Sequence, residues 1–169
     1  NHHLGTLLGL LMAAYEMNMY GKEYQKQVIS NAKAFAKALR DNGFSVEGDP
    51  DVSYTETHQV ILNVGYANGA EIAEKLEKNN IIVNYQSIPY DEGFSSSSAL
   101  RMGVQEMTRF GMKEKDFEKL AEYMKEIIQD KKDIGKHISQ FRGNFTEMEY
   151  CIPEEKSEPL IAKIAKNLI

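Results

Sequence analysis

The chain has 169 residues, a net charge of −5 and one cysteine. That length supports one domain with a proper core. The acidic balance argues against nucleic acid or an anionic membrane as a partner. Cys151 alone excludes an internal disulfide and fits a reducing compartment, the cytoplasm. No stretch reaches the ~20 apolar residues of a membrane span.

Leu4 to Met17 is apolar nearly all round and predicts a buried helix. The chain opens at Asn1 and enters this helix at once, so we expect a piece of a longer protein, with this helix packed on a part absent here. Glu23 to Asn42 predicts a second helix. Tyr24, Val28, Ala32, Phe35, Ala36 and Leu39 recur at helical spacing, and Gly43 follows as a stop. Phe44 to Glu47 alternates as a short strand, and Gln59 to Val64 reads as a strand in a covered sheet. Asn68 with Glu71 has the spacing of a capping box, opening a helix that ends at Asn79-Asn80. Ile81 to Val83 predicts another short strand. Gln86 to Ser98 is a polar loop with Pro89, Gly93 and a serine run.

Leu100, Met102 and Val104 predict a strand that carries Arg101 in apolar surroundings. A buried unpaired guanidinium is very costly, and its planar fork matches a carboxylate. Arg101 should therefore hold an anion, either a ligand or Asp91 or Glu92. Lys113 to about Asp133 predicts a helix that Ile134 to Phe141 extends past Gly135. Gly143 to Pro153 is irregular, and Pro159 to Ile169 closes the chain as a short amphipathic helix. The expected class is α+β, a small, mostly antiparallel sheet covered by helices.

Other chemistry is sparse. No Cys, His or carboxylate cluster has metal-ligand spacing, so no metal is expected. No Gly-rich phosphate loop follows a strand. His58 reads as a structural hydrogen-bonding residue before a strand. Glu106 is expected to cap or to pair with Arg109, itself a surface or loop-closing arginine. No residue here is expected to be catalytic.

Leu-Arg101-Met-Gly103, followed by Met-Thr108-Arg109-Phe-Gly111-Met, resembles the C-terminal signature of serine hydroxymethyltransferases (glycine hydroxymethyltransferases). Tyr24 to Val28 with Asn31 to Lys33, Thr55-Glu-Thr-His58, Gly69 to Asn80, and Ile81 to Pro89, ending in Asn84 and Ser87-Ile-Pro89-Tyr-Asp91, resemble further segments of that family in order. The match covers roughly residues 1–130. The resemblance implies the C-terminal domain of the aspartate-aminotransferase-like pyridoxal-phosphate fold. Residues 1–20 would then lead from a missing N-terminal large domain. Residues 21–130 would form the small domain, and 131–169 a helical extension.

It implies that Arg101 binds the α-carboxylate of an amino-acid substrate, with His58, Gly103 and Thr108 as structural neighbours. Gln86 stands where the family has a folate-contacting asparagine, and Phe94 falls near another folate contact. Val104-Gln-Glu106 replaces the usual Thr-Pro-Ala. The complete enzyme would use pyridoxal phosphate and tetrahydrofolate and work as a homodimer. None of the lysines here sits in the family's Thr-rich lysine motif, so no covalently bound cofactor is expected on this chain. Two other readings stay open. One is the small domain of another fold-type I enzyme (aldolase, aminotransferase or acyltransferase). The other is a stand-alone dimerisation or binding module.

Overall fold

The computed structural model describes residues 3–93 and 96–168. One unbroken helix, α1 (Leu4–Asp41), runs 38 residues through both predicted helices. Asn18 to Lys22 contains no proline, and a single glycine at Gly21 costs only about 1 kcal/mol in a helix. The first part of α1 is not buried within this chain. Leu4 is 72% exposed and Leu10 64%. The helix meets the body of the protein through Glu16 and then Tyr24, the first core residue along it.

The end of α1 follows the sequence closely. Gly43 takes the left-handed conformation with φ 85°. Its amide donates to Arg40 O, and that of Phe44 donates to Leu39 O. These paired bonds close the helix, with Phe44 tucked into the core.

The strands are β1 (Ser45–Val46), β2 (Gln59–Asn63), β3 (Asn84–Gln86) and β4 (Ala99–Gly103). They form one sheet in the order β1-β2-β4-β3, with every neighbour antiparallel. The remaining helices are α2 (Gly69–Lys78), α3 (Gln105–Arg109), α4 (Glu114–Ile128), α5 (Gly135–Arg142) and α6 (Glu154–Leu168). The fold is α+β. Val60 and Leu62 of β2 and Leu100 and Met102 of β4 face the helices. There they join Val28, Phe35 and Leu39 of α1, Leu76 of α2, and Phe117 and Met124 of α4 in one core.

Several boundaries differ from the sequence reading, each for a local reason. Ile81 to Val83 is not a strand. The Ile81 amide donates to Leu76 O and the Asn80 amide to Glu77 O, with Asn80 left-handed at φ 64°. These residues close α2, Ile81 is buried, and the strand starts at Asn84. The Asn68 capping box does not form. Asn68 Nδ2 turns back to Val64 O at 3.1 Å, and Glu71 pairs with Lys75 at 2.6 Å.

α4 does not continue into α5. Lys131 takes a left-handed φ of 56°, and the Ile134 amide then donates to Asn79 Oδ1 at 2.7 Å. That bond turns the chain back over the end of α2. The last helix begins at Glu154 rather than Pro159, which lies inside it.

Asn31 is fully buried on α1. Its Nδ2 donates to Thr108 Oγ1 and to Met112 O, both at 2.8 Å, and its Oδ1 accepts from Gln27 Nε2 at 2.9 Å. An Asn31→Ala change leaves the Met112 carbonyl and the Thr108 hydroxyl each one donor short. Losing such buried partners costs about 1–3 kcal/mol per group. Urea unfolding should show stability falling by about 2–4 kcal/mol, and a loss below about 0.5 kcal/mol would contradict this role.

Candidate functional site

A strand turns successive side chains to opposite faces. In β4 this rule sends Leu100 and Met102 into the core and Arg101 to the other face, where it is exposed. The expectation of a buried arginine is therefore corrected. Its neighbours in sequence are apolar, but its neighbours in space are not the same residues. Arg101 forms no ion pair among the described residues.

Asp91, one proposed internal partner, is engaged elsewhere. It accepts from the Ile88 amide at 3.0 Å, the Ser98 amide at 3.2 Å and the Ser98 hydroxyl. Ser87 Oγ donates to Ser96 O at 2.6 Å across the same loop. The serines pin the polar loop that leads into β4.

The register of the sheet builds the surroundings of Arg101. Ile61 lies opposite it on β2, and Asn84 lies opposite it on β3. Ala99 and Gly103 flank it along its own strand on the same face. This face therefore presents small residues on both sides of the guanidinium. Gln86, opposite Ala99, shares the face and is half-buried. His58 sits just before β2 and accepts the Val104 amide on its carbonyl at 3.0 Å. A cleft of about 600 Å³ is lined by Arg101, Asn84, His58 and Gly103, and also by Phe35, Met102, Phe117 and Met124 from the helix-covered side of the sheet, so it lies along the sheet's end and not on the open face alone.

Gly103 has a flexible neighbour. A Cβ there would run into the Gln105 side chain rather than backbone. Thr108 is fully buried and donates to Val104 O at 2.8 Å while accepting from Asn31. Phe94 lies outside the described residues. Among the described residues, no group of three His, Cys, Asp or Glu is arranged to hold a metal ion.

Arg109 is neither a loop arginine nor the partner of Glu106. Its guanidinium pairs with Glu16 of α1, with the two side chains 25% and 12% exposed. Glu16 Oε1 also accepts the Ile152 amide at 3.1 Å, and Arg109 O accepts the Glu149 amide at 2.7 Å. Tyr24 Oη donates to Gln105 O at 2.9 Å, and burial raises its phenol above the ordinary value. The chain after α5 thus straps over α3 and the turn behind Arg101. The signal for this was present. Glu16 is the one acidic residue in an apolar run, and such a residue needs a partner.

Residues 1–124 match the family model for serine hydroxymethyltransferase. The chain belongs to the serine hydroxymethyltransferase family. A serine hydroxymethyltransferase of Staphylothermus marinus is 46% identical over 89% of this chain and 35% of its own length. One of Saccharolobus islandicus is 44% identical over all of this chain and 40% of its own. The chain thus spans little more than a third of these relatives. Among solved structures, L-threonine transaldolase from Pseudomonas fluorescens aligns with a TM-score of 0.80 and 31% identity. That alignment covers 92% of this chain and 36% of the other.

The Ser98 hydroxyl, with the Ile88 and Ser98 amides behind it, holds the Asp91 carboxyl below its ordinary value against a smaller desolvation effect. A lowered folded pKa means the tie is complete above the unfolded value, about 3.9, and is lost as pH falls through the folded one. Protection of the Ile88 and Ser98 amides in hydrogen exchange should hold from neutral pH to about 4 and drop below it. Asp91→Ala should show low protection throughout. Protection that persists unchanged at acid pH would refute the tie.

Proposed function

We propose that this chain is the small C-terminal domain of a pyridoxal-phosphate enzyme that moves a one-carbon unit between serine and glycine. Residues 1–20 lead in from the large domain and share one continuous helix with the start of the small domain. Residues 21–130 form the small domain and 131–169 its extension. The complete enzyme works as a cytoplasmic homodimer. The observation that carries the reading is Arg101. It is an arginine on the open face of a sheet, without an ion-pair partner among the described residues, with Ala99 and Gly103 beside it on its strand and Ile61 and Asn84 across from it. It occupies the position that family resemblance gives to the carboxylate-binding arginine.

The geometry of Arg101 supports that role. A guanidinium offers parallel N–H donors that a carboxylate accepts two at a time. Such charge-assisted bonds are worth about 1.5–3 kcal/mol each. Holding the carboxylate on a rigid strand fixes the rotation of the substrate about its Cα, so the bond to be broken is aimed by the protein. Thr108, through Val104 O, keeps the turn behind that strand in place.

The face does not fit the cofactor itself. Strands β2, β3 and β4 carry no lysine, and the groups around Arg101 are amides and small side chains. In this reading the large domain supplies the cofactor's electron-sink chemistry, and this chain supplies the carboxylate contact. Tetrahydrofolate would meet this chain at Gln86 and Phe94.

The likeness to a threonine transaldolase, together with Gln86 in place of an asparagine, favours a second reading: a family member with a different one-carbon or aldehyde acceptor. Serine cleavage by the full-length enzyme distinguishes the two. Dependence on tetrahydrofolate supports the first reading, and indifference to it supports the second. In the same enzyme Arg101→Lys should weaken serine binding at least about tenfold and leave pyridoxal-phosphate binding within about twofold. Equal loss of both would make Arg101 a structural residue.

A further inference from the structure

The open face around Arg101 contains more than the guanidinium. Asn84 lies directly across the β3–β4 ladder from it. Residues opposed in this way have Cβ atoms about 4.5–5.5 Å apart on one face. Asn84 is exposed, and its side-chain amide makes no hydrogen bond among the described residues. Gln59 and Gln86 stand diagonally from Arg101 on the same face, about 7–8 Å away by the same rule. Their amides are likewise without partners among the described residues.

The nearest acid in this row is Glu47, beyond Ile61, and it accepts from Asn63 Nδ2 at 2.8 Å. The strands beside Arg101 thus offer it neutral amides and no competing carboxylate. Ala99 and Gly103 place no long side chain of their own beside the guanidinium, although Ala99 is fully buried and the Gln105 side chain lies where a Cβ on Gly103 would stand. An asparagine amide carries two N–H donors that suit a carboxylate oxygen.

We propose that Asn84 is a second donor to the carboxylate that Arg101 holds, so that the substrate is gripped by a guanidinium and an amide on adjacent strands. The inference rests on the assignment of Arg101 to an amino-acid carboxylate. It adds orientation. A carboxylate held from two strands can neither swing about the arginine side chain nor slide along the β4 row. Asn84 is then a binding residue rather than a prop for the strand. Its neutrality is essential, because an acid in its place would pair with Arg101 and compete with the substrate.

The test uses the full-length holoenzyme and equilibrium titration with serine and glycine. Asn84→Ala should weaken both about tenfold or more, the worth of one hydrogen bond to a charged carboxylate. Asn84→Asp should weaken them at least about tenfold, because the new carboxylate occupies Arg101. The melting temperature should stay unchanged in both variants, as the side chain is exposed and makes no hydrogen bond among the described residues. Affinities within about twofold of the unsubstituted enzyme in both variants overturn the inference. A fall in melting temperature that accounts for the lost affinity overturns it too, by making Asn84 structural. Arg101→Lys, titrated in parallel, separates the two ideas. If it loses amino-acid binding while Asn84→Asp keeps it, only Asn84 is wrong. If it keeps binding, the assignment of Arg101 falls first.

Discussion

The buried amide of Asn31 is the joint on which the arrangement depends. It sits in the middle of α1, yet its two donors reach residues 77 and 81 positions further along the chain. Thr108 relays the contact to Val104 O, at the point where β4 ends. A buried amide must find all its partners or lose several kcal/mol, so only one docking of the α3 turn on α1 satisfies it. The apolar contacts beneath could slide by a fraction of a residue. The amide cannot. It converts a hydrophobic interface into a fixed register, and Arg101, three residues upstream of Val104, inherits that precision.

Two further ties flank this joint. Tyr24 holds the Gln105 carbonyl, and Glu16 holds Arg109. Both come from α1, one on each side of the turn where the core begins. The segment 145–152 then closes over them. The Tyr150 ring packs against Tyr24 with centroids 5.3 Å apart, and Glu149 reaches Lys113 at 3.1 Å. The residues beyond 130, which carry no motif of their own, thus have a physical place. They enclose the half-buried Arg109–Glu16 pair and raise the cost of moving α3.

Much of this was legible in the sequence where the signal is local. Gly43 as a helix stop, the stripe of α4 and the α+β class follow from spacing and chain chemistry. The failures share one cause. Asn68 with Glu71 had the right spacing for a cap, but Asn68 found a nearer acceptor in Val64 O and Glu71 a lysine one turn on. Ile81 had β-propensity but was worth more as the apolar plug that closes α2. Arg101 was recognised as the residue to explain, yet its burial was misjudged. Apolar neighbours in sequence lie on the opposite face of a strand. Asn84 gained meaning only from the register, because nothing in the sequence says which residue lies across from Arg101.

A sheet covered by helices on one side leaves its other face to be used. Here that face offers a guanidinium without an ion-pair partner among the described residues, with Ile61 and neutral amides beside it, held still by a buried joint behind it. The central claim is that this guanidinium recognises a carboxylate. The most direct measurement compares affinities of the full-length enzyme for serine and for ethanolamine, which differ only in the carboxylate, with Arg101 and with Arg101→Leu. The account predicts a preference for serine of at least about tenfold that collapses to near unity in the variant. A preference of the same size in both proteins would contradict it.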